Sequence, residues 1–571
     1  MCGLFGIINT DNSDVKEEVL WTCLKAISHR GPDHSQVWSD KFVGLAHQRL
    51  SIIDPSEVSN QPLIYKSLRI IFNGAIYNYI ELREELEAVG YTFKTSSDTE
   101  VICASYLNWG PEFLNRLNGM WAFLIFDERD DSVFISRDRF GIKPLMYTTI
   151  GDSLYFSSEV KAILQLPGYS ASLNYNMAKR FLRSGITQYQ GKSFFHNVFY
   201  FPPGSYGLFK DGELKTHRYY QLKENLDDKL KKLSFHSAKE KFRSLFRDAV
   251  KIRLRSDVDM GSSLSGGLDS NVIAANVFEL DHGEEFRTFS VCFDEFSKEE
   301  ALIDIANTQF NFNVIKIRPN DQNLINRLQL VCWHQEQPVP TGSILAQNYL
   351  FELVSKSGVK AVLGGQGADE IAYGYDAFIK LKLKSNPFRF LEAPFFYTKL
   401  FYDHLIKEPS SLAIKHDIND PTDNTNDIQD HATHMIEHEP LPALLHFEDR
   451  NAMQFGIESR LPYLDHRVVE FCLSCPPDFF NKGNKRKSLI KEAFSHKVPK
   501  EILNHKQKNA FASPQSSWVN ENRVEIEEFI KDRFDLIEEF LFEDQSSVSK
   551  FPSAIVWRIL NFIIFRERFA V

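Results

Sequence analysis

The chain has 571 residues, 43% hydrophobic, 13% aromatic and 25% charged, too many for one hydrophobic core and enough for about two to four domains. That composition excludes disordered, collagen-like and disulfide-stapled classes. A formal net charge of −10 removes the global positive field that would favour nucleic acid or an anionic membrane.

Seven thinly spread cysteines predict a reduced compartment, the cytoplasm. Cys472 and Cys475 form one CxxC with no second pair at zinc spacing, so two packed thiols are expected there. The N-terminus lacks a basic stretch followed by an apolar one. No apolar run, Ile559 to Phe565 included, reaches the length of a bilayer, so neither export nor a membrane span is expected.

From Cys2 to about Tyr206, short apolar or alternating runs separated by Gly, Asn and Asp turns predict strands at Leu4 to Ile8, Arg69 to Phe72, Trp121 to Phe126, Ser132 to Ser136 and Ser153 to Phe156. Helices are predicted near Val15 to Ser28 and Tyr79 to Val89. The pattern is that of an antiparallel α/β layered domain over residues 1–206. Removal of Met1 would put a free α-amine on the residue that carries the Cys2 thiol. The two groups titrate near about 8 and 8.5, so the amine can take the thiol proton directly or through one water. Alone, a Cys at position two reads as a small buried residue opening a strand. Arg49 and Asp98 alone read as surface ion-pair partners.

As a set, MCGLFGI, HRGPD (His29 to Asp33), AHQRLSIID (Ala46 to Asp54), FNGAIYNY (Phe72 to Tyr79) and SSDTEVI (Ser96 to Ile102) resemble class II glutamine amidotransferases, whose domain is an Ntn-type glutaminase. The resemblance implies that Cys2 attacks the side-chain amide of glutamine, forms a thioester and releases ammonia. It makes Asn73 and Gly74 the oxyanion hole. It also implies that Arg49 grips the glutamine α-carboxylate and Asp98 the α-ammonium. One departure lies in this set: relatives resembling asparagine synthetase read NGEIYN, and here Ala75 stands for the carboxylate.

Pro202, Pro203 and Gly204 open a polar, lysine-rich stretch through Lys232, read as a linker over 207–236. From about Ser237, strands at Met260 to Leu264, Thr288 to Phe293, Asn313 to Ile317 and Lys360 to Leu363 alternate with helices. That alternation predicts a parallel sheet wrapped by helices, with ligand sites beyond the carboxyl ends of its strands. The polar stretch from Lys415 to Glu439 is expected to be a mobile insertion.

Leu264 is followed by Ser265-Gly266-Gly267-Leu268-Asp269-Ser270, between a predicted strand and helix. Its glycines let backbone N–H groups and the helix dipole face an anion. It lacks the GxxxxGK[ST] of P-loop NTPases. The motif resembles the pyrophosphate loop of ATP pyrophosphatases, which cleave ATP to AMP and pyrophosphate. RTFSVCF (Arg287 to Phe293) resembles the strand that receives adenine near Val291, and GGQGADE (Gly364 to Glu370) the second anion loop, with Gly364 and Gly365. ESRLPYLDHRVVEF (Glu458 to Phe471), KSLIKEAF (Lys487 to Phe494), HKQKNAF (His505 to Phe511) and WRILNF (Trp557 to Phe562) match the asparagine synthetase pattern. The resemblance thus covers nearly the whole chain. It implies a doubly wound ATP-pyrophosphatase domain over 237–571.

Joining ammonia to a carboxylate needs a better leaving group than oxide, and attack of the carboxylate on the ATP α-phosphate supplies AMP. Asp269 and Asp369 suit Mg²⁺ bridging the phosphates. Lys487, by resemblance, neutralises their charge, and Lys506 and Lys508 are weaker candidates. A second departure lies here: asparagine synthetases commonly read SGEGADE, whereas Gly364 stands for the Ser and Gln366 for the Glu. That Glu is a candidate proton acceptor when ammonia attacks, and an amide cannot replace it.

The resemblance implies a glutamine-dependent, ATP-consuming amidotransferase that passes ammonia internally to an acyl-adenylate of aspartate, giving asparagine, glutamate, AMP and pyrophosphate. Its substrates are glutamine, ATP and a carboxylate acceptor; its cofactor is Mg²⁺; a homodimer is compatible. The same chemistry on another carboxylate, such as a uronic acid, stays open. So does a binding or regulatory protein without synthetase turnover, to which Ala75 and Gln366 point and against which Asp269, Asp369 and Lys487 argue.

Overall fold

A computed structural model describes residues 2–280, 286–293, 297–319, 323–378, 381, 427–482, 486–505, 513–541 and 545–571. The first half contains β1 (Gly3–Asn9), β2 (His34–Asp40), β3 (Val43–Arg49), β4 (Leu63–Tyr65), β5 (Leu68–Ile76), β6 (Gly119–Asp127), β7 (Ser132–Arg137), β8 (Met146–Ile150), β9 (Ser153–Ser157), β10 (Phe199–Tyr200), β11 (Ser205–Lys210) and β12 (Glu213–Arg218). They form two antiparallel sheets in the orders β10-β8-β9-β1-β3-β2 and β12-β11-β7-β6-β5-β4. The β11–β12 hairpin carries the second sheet past Tyr206 to Arg218.

Alternation along each strand explains why these segments read as apolar runs. Leu4 and Ile8 of β1 meet Ile71, Leu124 and Phe126 between the sheets. Phe5 and Ile7 face outward to Leu20, Cys23 and Leu24 of the Glu17–Lys25 helix. On the other sheet, Ile70, Phe72, Phe123 and Ile125 face the helices Tyr79–Ala88 and Asp98–Trp109. A strand covered on both faces loses the polar half of its pattern. The result is a helix–sheet–sheet–helix stack.

The second half holds β13 (Met260–Ser263), β14 (Arg287–Val291), β15 (Asn313–Ile317), β16 (Ala361–Leu363) and β17 (Glu458–Arg460). All neighbours in the order β15-β14-β13-β16-β17 are parallel. The chain enters at the centre of the sheet, winds outward one way and then the other. Strand order therefore reverses between β13 and β16, the position at which such sheets open a ligand crevice.

The Ser553–Phe569 helix buries Ile555, Trp557, Phe562 and Phe565 in one core with Met177, Phe181 and Phe194 of the first half. The apolar run in this helix therefore serves packing between the halves. Among the described residues, no helix is long and apolar enough to cross a membrane. All seven cysteines are free and buried, Cys472 and Cys475 included.

One expectation is corrected. Within Lys415 to Glu439, residues Ile428–Glu437 form an ordered helix whose Ala432, Thr433, Met435 and Ile436 are buried. Four inward positions at helical spacing suffice to dock a segment whose average composition is polar. Residues 415–426 lie outside the described residues, as do Lys506 and Lys508.

Candidate functional sites

Cys2 precedes β1 and is buried beside β5, where its backbone N–H donates to Asn73 Oδ1 at 3.0 Å. Burial pushes its thiol above the ordinary cysteine range, so the thiolate needs a base to form. Asn73 is fully buried, and its Nδ2 has no hydrogen-bond partner among the described residues. Such an orphan costs about 1–3 kcal/mol of desolvation. Gly74 pairs with Trp121 across β5 and β6, and a Cβ there would lie 2.1 Å from the Met120 carbonyl oxygen. Only glycine keeps this backbone against its neighbour.

Arg49 ends β3 and is held by the loop that follows. Its Nη1 donates to the Ser56 carbonyl and to Asn60 Oδ1, each at 2.7 Å, and its Nη2 donates to the Asp54 carbonyl. Those bonds fix the guanidinium plane and use three of its five donors. Asp98 opens the Asp98–Trp109 helix, which is capped by Ser97, and accepts from the Ile76 N–H at 2.9 Å. Burial is the main cause that pushes its carboxyl up to about 6.

Cys2, Arg49, Gly74, Ala75 and Asp98 line one pocket, and Glu458 and Arg460 of β17 close it from the second half. The Glu458–Arg460 ion pair (2.5 Å) was not foreseen as part of this site. Only strand pairing in the distant sheet places it there. Arg30 was also missed. It is fully buried, its Nε donates to the Cys2 carbonyl at 3.0 Å, and its Nη atoms grip Asp449 at 2.8 and 3.2 Å.

A larger cleft opens at the switch point of the parallel sheet. It encloses about 1050 Å³, mouth included, against about 410 Å³ around Cys2, which gives it ample room for a nucleotide. Leu264, Ser265, Gly267, Asp269, Ser270, Val291, Gly364, Gly365 and Asp369 all line it. The Ser265 N–H donates to Ser270 Oγ at 3.1 Å and Asn271 Nδ2 donates to the Gly267 carbonyl at 2.7 Å, which fixes the turn. Gly266 lies against Glu299, whose Cγ and carbonyl oxygen would each be 3.0 Å from an added Cβ.

Lys487 comes from a third segment. Its Nζ donates to Asp269 Oδ1 and Oδ2 at 2.8 and 2.7 Å and meets Asp369 Oδ1 at 2.7 Å. The two carboxylates hold its ammonium above the ordinary lysine range against the opposing effect of burial. Gly374 is required here, because a Cβ would overlap Asp369 Oδ1 and lie 2.7 Å from Lys487 Cε. Glu370, next to Asp369, turns inward instead and accepts from Tyr375 Oη at 2.5 Å. Among the described residues, no group of three or more His, Cys, Asp or Glu side chains forms a metal cage. Two hard carboxylates beside an anion loop still suit Mg²⁺, which characteristically completes its shell with phosphate oxygens and water.

A family model for a glutamine amidotransferase domain matches residues 1–220, and one for asparagine synthase matches residues 241–553. The chain belongs to the asparagine synthase family. Similar proteins include glutamine-hydrolyzing asparagine synthetase 1 of Bacillus subtilis, 30% identical over 99% of this chain and 96% of that one. Amidase chry2 of Gibberella zeae is 29% identical over 90% and 87%, and glutamine-hydrolyzing asparagine synthetase B of Escherichia coli is 28% identical over 91% and 84%. This asparagine synthase family member is a glutamine-dependent carbon–nitrogen ligase, and its family uses ATP. Its cleft also contains Glu299, Gln347 and Glu448, which no motif announced.

Proposed function

We propose that the protein amidates the side-chain carboxylate of aspartate, dividing the work between residues 1–206 and 237–571. Once Met1 is removed, the Cys2 α-amine takes the thiol proton and the thiolate attacks the glutamine side-chain amide. Asn73 Nδ2 and the Gly74 N–H receive the charge on the carbonyl oxygen. The orphaned, fully buried Asn73 amide fits this role, since a donor kept for a transition state has no ground-state partner. Arg49, already oriented by its loop, and Asp98 take the two ends of the amino acid. With Ala75 in place of a carboxylate, Asp98 and Glu458 are the acids lining that pocket.

In the cleft, the acceptor carboxylate attacks the ATP α-phosphate and pyrophosphate leaves. The turn at Ser265 to Ser270, with Gly364 and Gly365, cradles the phosphates, and adenine lies near Val291. Asp269 and Asp369 would hold Mg²⁺, which supplies positive charge to the departing pyrophosphate, and Lys487 adds its ammonium at the same place. The observation that carries this reading is the convergence of Asp269, Asp369 and Lys487 from three separate segments at the switch point of the sheet.

Gln366, which lines the cleft where the acceptor is activated, supports a second reading in which the acceptor is a uronic acid. The test supplies glutamine, magnesium–ATP and either L-aspartate or D-glucuronate. Equal yields of glutamate, AMP and pyrophosphate with aspartate support the first reading, and turnover confined to glucuronate supports the second. Absence of AMP with every carboxylate offered refutes both.

A further inference from the structure

Gln366 lines the nucleotide cleft, yet its amide cannot accept the proton that ammonia must lose. A carboxylate does reach this place from another element. Glu448 projects from the Leu441–Met453 helix into the same cleft, with 6% of its surface exposed. Its oxygens accept from Ser459 Oγ at 2.6 Å, from Gln347 Nε2 and from Gln366. Three neutral donors orient the group without supplying a counter-charge. A Cβ added at Gly364 would lie 3.2 Å from Glu448 Oε1. Both departures from SGEGADE therefore meet one carboxylate: Gly364 makes room for it, and Gln366 donates to it where a glutamate would repel it.

The position also fits the direction from which nitrogen arrives. Along β17, Glu458 and Arg460 line the Cys2 pocket, whereas Ser459 between them turns to Glu448. Asp449, next in the helix, is tied through Arg30 to the Cys2 carbonyl. Glu448 thus stands on the wall shared by the two sites.

We propose that Glu448 is the proton acceptor of the amidation step. This proposal rests on the amidation reading above. The nitrogen lone pair of ammonia forms the C–N bond at the acyl carbon, and one N–H proton passes to the Glu448 carboxylate. The C–O bond to AMP then breaks, with AMP leaving on its electron pair, and Glu448 later returns the proton to water. Burial raises the carboxyl above its usual range, which improves it as an acceptor near neutrality, while Lys143 opposes the rise. Asp269, Asp369 and Glu299 are the other acids of the cleft, and Lys487 neutralises the first two.

The test uses the full-length enzyme with L-aspartate and, in parallel, D-glucuronate. Exchange of labelled pyrophosphate into ATP without a nitrogen donor reads adenylation, and amide formation from ammonium chloride reads the later step. In E448Q, amide formation is expected to fall about 10²- to 10⁴-fold, the range for a general base, with exchange at the wild-type level. The double variant E448Q/Q366E, which moves the carboxylate back to the loop, is expected to regain amide formation. Amide formation by E448Q at the wild-type rate overturns the proposal. So does equal loss of exchange and amide formation in E448Q with no recovery in the double variant. If the wild-type enzyme exchanges pyrophosphate with neither acid, the amidation reading itself fails and this assignment falls with it.

Discussion

Replacing Asn73 by alanine separates catalysis from stability in a way the buried geometry makes quantitative. The side chain does two things. Its Oδ1 accepts the Cys2 N–H at 3.0 Å, worth about 1 kcal/mol, and its Nδ2 is the unpartnered donor beside the thiol, worth about 2.7–4 kcal/mol of barrier if it meets the oxyanion. The first bond is already made in the free enzyme and bears on stability, so only the second raises the barrier, and alanine is expected to lower kcat/KM for glutamine by about 10²- to 10³-fold. Stability should barely move, because alanine forfeits one hydrogen bond but also removes a buried donor whose desolvation costs about 1–3 kcal/mol. Glutamate release measures the first quantity, thermal unfolding the second, and synthesis from ammonium chloride gives the internal control. A loss below tenfold in glutamine hydrolysis, or a fall in synthesis from ammonia that tracks it, would refute the reasoning.

Cys2→Ala is expected to abolish glutamine hydrolysis and leave synthesis from added ammonia, measured by product mass; joint loss of both would contradict separate sites. Asp269→Ala takes one carboxylate from Lys487 and the loop, so pyrophosphate exchange should disappear while glutamate release continues. Because burial raises the Asp98 carboxyl to about 6, this acid is ionised above that pH and protonated below it. Only the ionised form attracts the glutamine ammonium, so KM for glutamine should rise about tenfold per pH unit below 6, apart from any loss of kcat as the Cys2 amine is protonated, and Asp98→Asn should remove that rise in KM.

Both halves of the fold were legible because their patterns are local. Trp121 to Phe126 is continuously apolar because β6 is covered on both faces, and the strand–turn–helix at Met260 to Glu279 carries its own glycines. The loop residues of each site were legible for the same reason. What sequence withheld depends on pairing between distant segments. Glu458 reaches the Cys2 pocket because β17 joins β16 at the edge of the parallel sheet. Arg30 and Asp449, 419 positions apart, carry opposite charges that mean nothing until both are buried. The Ile428–Glu437 helix was hidden because its four buried residues lie at the end of a longer stretch from Lys415 that is polar as a whole.

The most direct test follows the nitrogen atom. The wild-type enzyme is given glutamine labelled with ¹⁵N in its side-chain amide, magnesium–ATP, L-aspartate and D-glucuronate, in a bath of unlabelled ammonium chloride. Transfer from the Cys2 pocket to an acyl-adenylate at Asp269, Asp369 and Lys487 predicts an amide product one mass unit heavy, formed mole for mole with AMP and pyrophosphate. A product carrying the unlabelled nitrogen of the bath, or glutamine consumed without AMP, would contradict it.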